Sequence, residues 1–167
     1  MTAITLRPAL PADAEFLAEL FRASVLELAV DDYDEDQLAA WVSAGEDEDA
    51  FGKRLASMLT LVAMLEGEIV GFASLKGKDV IDMLYVLPEA ARMGVATTLV
   101  DALEKLAAAR GAIAVTTDAS ETAAPFFVRR GYTPLARNTV LVEDEWLANT
   151  SMKKDLPANA NVKGARP

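Results

Sequence analysis

Val80-Ile81-Asp82-Met83-Leu84-Tyr85-Val86-Leu87-Pro88, then the segment 89–93, then Gly94-Val95-Ala96-Thr97, is the stretch that decides the fold. Its first part is an apolar, partly β-branched run that Pro88 stops, the signature of a strand. After the loop, Val95, Leu99, Leu103 and Leu106 recur on one helical face, and Gly111 closes that helix. The unit is therefore strand, loop, helix. A helix N-terminus carries unpaired N–H groups and a partial positive charge, which attract phosphate. Gly94 has no Cβ, and the small Ala96 and Thr97 keep the first turn open to a ligand. Taken alone, the same residues serve equally well as a plain turn, with Ala96 packed against a sheet.

Upstream, residues 59–65 and 69–75 read as two strands joined at Glu66-Gly67-Glu68. Lys76-Gly77-Lys78 turns the second of them into the run from Val80, giving an antiparallel meander of three strands. Earlier still, Ile4-Thr5-Leu6-Arg7 alternates and stops at Pro8. Leu17, Leu20, Phe21 and Leu28 mark a helix from Asp13, with Asp13 and Glu15 in its first turn. The acidic run 31–36 breaks that helix and leads into a short one at 38–42. Phe51, Leu55 and Met58 predict one or two more helical turns after the loop 45–49.

Downstream, residues 113–117 predict a short buried strand. Asp118 and Glu121 stand at capping-box spacing, with Ser120 an equally good cap, before a helix that Gly131 ends. Residues 132–137, 139–142 and 150–156 are strand-like. The expected order is β-α-α-β-β-β-α-β-α-β-β, in one domain over 1–156 with a frayed tail over 157–167.

The composition narrows the chemistry. The 167 residues include neither cysteine nor histidine, so disulfides, thiolate nucleophiles, Cys/His zinc sites and Ser-His-Asp triads are ruled out. No metal is expected. A formal charge of −10 disfavours nucleic-acid backbones and anionic membranes and mildly favours a cationic partner. The N-terminus lacks a signal-peptide pattern, and the apolar run 59–65 falls far short of the ~18 residues of a membrane helix. A cytoplasmic protein is expected.

Several segments, in order, resemble the GNAT (GCN5-related) N-acetyltransferase superfamily, in its small bacterial branch. Leu84-Tyr85-Val86-Leu87-Pro88, Gly94-Val95-Ala96 and Leu99 are similar to its acetyl-CoA signature. Ala119-Ser120 followed by Pro125-Phe126-Phe127-Val128-Arg129-Arg130-Gly131-Tyr132 resembles its second motif. Tyr33, Gln37 and Trp41 fit the same branch, as does Asn149-Thr150-Ser151-Met152-Lys153-Lys154-Asp155-Leu156. The resemblance implies an α/β (α+β) acyl-CoA N-acyltransferase fold, a mixed, mostly antiparallel twisted sheet flanked by about four helices. It implies acetyl-CoA as cosubstrate and an amine of a small molecule or peptide as acceptor. It also implies a strand splayed from its neighbour at a bulge, and domains that pair into homodimers through their last strands.

Residue by residue, the resemblance implies that the amides of Met93, Gly94, Val95, Ala96 and Thr97 hold the CoA pyrophosphate. Leu84, Tyr85 and Val86 would pair with the pantetheine arm, and the Leu84 N–H would stabilise oxyanion charge. Ser120 would lie near the pantetheine or sulfur, with Phe127 also against the cofactor. Two positions depart from the family. Ala91 stands where Gln or Arg is usual, so Arg92 would supply the charge. Phe127 stands where a tyrosine acid is usual and cannot protonate a leaving thiolate; Tyr85 and Tyr132 are the alternatives. Strand alternation puts Val80, Asp82, Leu84 and Val86 on one face, which makes Asp82 the candidate base or, equally, a strand-end charge bonded to a loop. Asp31, Asp32 and Tyr33 fall in the loop that walls the family's acceptor site. Arg129 and Arg130 read as helix C-terminal cations. Two other readings compete. A CoA-binding sensor without catalysis is motivated by Phe127. A nucleotide-phosphate binder lacks the Gly-Lys-Ser/Thr and Rossmann patterns.

Overall fold

The computed structural model describes residues 3–157. The order is β1 (Thr5–Pro8), α1 (Ala14–Leu28), α2 (Glu35–Val42), α3 (Glu48–Ala56), β2 (Leu59–Leu65), β3 (Glu68–Lys76) and β4 (Val80–Val86). Then come α4 (Val95–Ala109), β5 (Ala114–Ser120), α5 (Ala124–Arg129), β6 (Thr133–Val142) and β7 (Glu145–Asp155). Among the described residues seven strands form one sheet in the order β1-β2-β3-β4-β5-β7-β6. Only the β4–β5 pair is parallel; every other neighbour is antiparallel. The fold is thus the mixed, mostly antiparallel α/β architecture expected, with five α-helices where about four were anticipated. The fifth is α3, a full helix rather than a turn or two, because the Asp47 carboxylate accepts the Ala50 N–H at 3.0 Å and starts it.

The sheet separates two apolar layers. Leu99, Leu103 and Ala107 of α4 pack on Ala73, Leu75 and Val115. On the other face Leu17, Leu20, Phe21 and Phe51 pack on Val62, Phe72 and Met83. Gly71 sets how closely α4 seats: a Cβ there would stand 2.8 Å from Val95 Cγ1. The start of α4 therefore lies directly on the sheet, beside β4.

One local expectation fails and another is extended. No capping box forms at Asp118 and Glu121, because β5 runs on through Ser120 to pair with β7. Asp118 Oδ1 instead accepts the Ser151 hydroxyl at 2.8 Å, and Ser120 Oγ accepts the Ala123 N–H at 3.1 Å. The strand-like pieces after residue 131 form one long hairpin, β6–β7, turning at Glu143 and Asp144 with φ of 46° and 68°. The tail expected at 157–167 lies, past Pro157, outside the described residues. Among the described residues no helix is long and apolar enough to cross a membrane.

Candidate active site

Strands β4 and β5 pair only at Val80–Thr116 and Ile81–Thr117, then part, β4 staying with β3 and β5 with β7. The Thr117 hydroxyl donates to the Ile81 carbonyl at 2.9 Å where they separate. The cause lies one residue on. Ile81 faces Leu75 and Met83 faces Ser74, so Asp82 is an extra residue without a partner, a β-bulge that bends and twists the strand.

The bulge also shifts the alternation. Val80, Asp82, Leu84 and Val86 were expected on one face; instead Ile81, Leu84 and Val86 pack on the α4 side, and Met83 and Tyr85 on the α1 side. Amide directions follow. The Leu87 N–H donates to the Val70 carbonyl at 2.9 Å, toward β3. Successive amides of a strand point to opposite edges, so those of Tyr85 and Met83 also face β3, while those of Leu84 and Val86 face the opening. Tyr85, expected with them along the cofactor strand, gives its amide to the sheet.

Beyond the opening, Arg92 and Gly94 are both left-handed, with φ of 66° and 86°. The first intrahelical bond of α4 is Thr98 N–H to the Gly94 carbonyl at 3.0 Å, so the amides of Val95, Ala96 and Thr97 lack helical partners. They border a cavity of about 610 Å³ that Leu84, Val86, Arg92, Gly94 and Arg129 also line. A Cβ on Gly94 would meet nothing within 4 Å; the glycine is there for its backbone angle, and it faces open space. Met93 is half-exposed and its side chain does not line this cavity.

A second cavity, of about 210 Å³, neighbours the first, with Leu84 and Ala123 lining both. Tyr33, Trp41, Asp82, Tyr85, Ser120 and Phe127 are among its walls. Asp82 reaches it, but its Oδ2 accepts from Arg54 Nη2 at 2.9 Å, a cation on helix α3 rather than a group of a loop. Phe127 is buried, edge-on to Phe126 and Tyr132 at 5.2 and 5.0 Å between centroids. Tyr33 lines the cavity with its hydroxyl engaged, donating to the Ala148 carbonyl at 2.6 Å and accepting the Glu121 N–H at 2.9 Å. Asp32 accepts the Thr122 hydroxyl at 2.7 Å, and exposed Asp31 lines neither cavity.

Of the two tyrosines offered as acids, Tyr132 lies away from both cavities. It donates to Glu104 at 2.8 Å, and burial, then Glu104, holds its phenol far above the usual range. Tyr85 does line the smaller cavity, and desolvation, opposed by a bond with Trp41, pushes it up to about 12. Sequence reasoning missed Asp118, Leu147, Ala148 and Asn149, all in the wall of that cavity. The unbroken strand character of β5 past Thr117 was the available signal for Asp118.

The arrangement is a crevice between two parted strands, with a helix N-terminus at one end and a small mixed cavity at the other. A family model described as an acetyltransferase (GNAT) domain matches residues 29–156. The uncharacterized N-acetyltransferase YafP of Escherichia coli (strain K12) is 34% identical over 153 residues, 92% of this chain and 97% of that one. A crystal structure of a GCN5-related N-acetyltransferase from Rhodopseudomonas palustris is 56% identical with a TM-score of 0.92, covering 93% of this chain and 98% of the other. The fold recurs at 19% identity and a TM-score of 0.76 in PaiA N-acetyltransferase of Thermoplasma acidophilum, solved with coenzyme A, over 92% and 99% of the two chains. The protein belongs to the GNAT acetyltransferase family.

Proposed function

We propose that this protein carries an acetyl group from acetyl-CoA to the primary amine of a small molecule or peptide, by direct attack within a ternary complex. The observation that carries the reading is the pair of Leu84 and Val86 amides facing an opening that runs on to the free amides of Val95, Ala96 and Thr97. These residues fit CoA. The amides of 93–97 and the Arg92 guanidinium would hold the pyrophosphate, and an extended pantetheine arm would find the edge of Leu84 and Val86 unpaired. The thioester supplies an activated acetyl group. The Leu84 N–H donates to the oxygen that gains charge as the amine attacks. Ser120 and Phe127 border the sulfur end. Asp82, one of whose oxygens is held by Arg54, takes the amine's proton through water; the acyl C–S bond breaks as the C–N bond forms, and CoA departs as a thiolate that solvent protonates. Holding both reactants in one crevice supplies most of the acceleration.

On this reading residues 1–156 form the catalytic domain, 157–167 a tail, and the protein works in the cytoplasm without metal, nucleic acid or membrane. The free edge of β6, with Leu135 and Leu141 exposed, suits pairing with a second copy. Phe127 favours a second reading, a CoA-binding module without catalysis. Thiol release from acetyl-CoA, measured across a panel of amines, separates the two. Amine-dependent release supports transfer; tight CoA binding with no release on any amine supports the module.

A further inference from the structure

We infer that Asp118 is the group that binds the acceptor's ammonium, and that the acceptor is a primary amine on a small apolar or aromatic body bearing no second charge. The inference rests on the acetyltransferase reading and deepens it. Two carboxylates line the smaller cavity, Asp82 and Asp118. Arg54 neutralises Asp82 at 2.9 Å. Asp118 is exposed, and it has no cation within ion-pair distance among the described residues, so it is the cavity's unpaired carboxylate, open to solvent on one side.

Its position is built, not incidental. The Asn138 amide donates to Ser151 Oγ at 2.8 Å and to Asn149 Oδ1 at 3.0 Å. With its lone pair engaged, the Ser151 hydroxyl gives its hydrogen to Asp118 Oδ1 at 2.8 Å. That chain across β6, β7 and β5 fixes the carboxylate and leaves Oδ2 without a protein donor among the described residues. Trp41, Tyr85, Phe127 and Leu147 supply an apolar wall in the same cavity, and about 210 Å³ leaves room for one small body. One unpaired carboxylate in a cavity with apolar walls matches one cation on an apolar frame.

The test is calorimetric titration of phenethylamine and of its neutral isostere 2-phenylethanol into the full chain, with and without saturating CoA. A hydrogen bond to a charged group predicts that the amine binds about tenfold more tightly than the alcohol. Asp118→Asn keeps an acceptor for Ser151 and should abolish the preference; Asp82→Asn should retain it. Equal binding of the two probes, binding of neither, a preference surviving Asp118→Asn, or one lost in Asp82→Asn would each overturn the inference. The CoA isotherm, recorded first, reports separately on the cofactor site.

Discussion

The Thr117 side-chain hydroxyl donates to the Ile81 carbonyl at 2.9 Å, and just past this bond the sheet opens. Both groups are buried, so replacing the hydroxyl by a methyl leaves a carbonyl without its partner. Thr117→Val should lower stability by about 1–3 kcal/mol in urea unfolding and weaken acetyl-CoA binding, because the hinge of the crevice loosens. Unchanged stability would mean that the bond holds nothing together.

Gly94 separates two effects that are usually mixed. Gly94→Ala adds a methyl that meets no protein atom within 4 Å, at φ of 86°. The stability loss should therefore be the backbone term alone, about 1–2 kcal/mol. If phosphates approach this backbone, the acetyl-CoA Kd should rise about tenfold or more, beyond anything stability explains. Calorimetry beside urea titration reads both quantities.

Phe127 borders the smaller cavity, where the proposed reading sets the sulfur end of the cosubstrate. Phe127→Tyr should raise kcat about tenfold with acetyl-CoA KM little changed. That is below the ~100-fold or more of typical general acids, since a thiolate leaves tolerably well unaided. A variant that folds and shows no rise would remove position 127 from the chemistry.

The bulge explains much of what the sequence did and did not disclose. The meander was legible because Gly67 and Gly77 sit between apolar runs, and the start of α4 because Gly94 precedes a regular apolar face. The resemblance implied a bulge at the splayed strand but not its place at Asp82, since a bulge is defined by the partner strand, and alternation read along one strand assumes none. Tyr33 shows the same limit: its partners, Glu121 and Ala148, lie 88 and 115 residues away. The β6–β7 hairpin escaped because its turn is Glu143-Asp144, without glycine, and because β6 is exposed almost throughout and so does not alternate. Asp118 was misread because the spacing of a helix cap also fits the end of a strand.

Tyr85 gives a pH signature. Desolvation pushes its folded phenol up to about 12, against about 10 when unfolded. Below about pH 10 both states are protonated and its contribution is intact; as pH climbs toward about 12 the unfolded state ionises first and stability falls. Tyr33 and Tyr132 shift in the same direction. Urea midpoints at about pH 9 and about pH 11.5 should show the loss, and Tyr85→Phe should make it shallower by about 2 kcal/mol. Equal slopes for the two proteins would contradict the desolvation of this phenol.

The central claim is that one backbone surface, from the Leu84 and Val86 amides to those of Val95, Ala96 and Thr97, receives acetyl-CoA. Its most direct test is an amide-resolved NMR titration of the labelled protein with acetyl-CoA. The largest shifts should fall on residues 84, 86 and 94–97, with smaller ones on Ser120 and Ala123. Saturable binding that leaves those amides unmoved, or no binding at all, would contradict it.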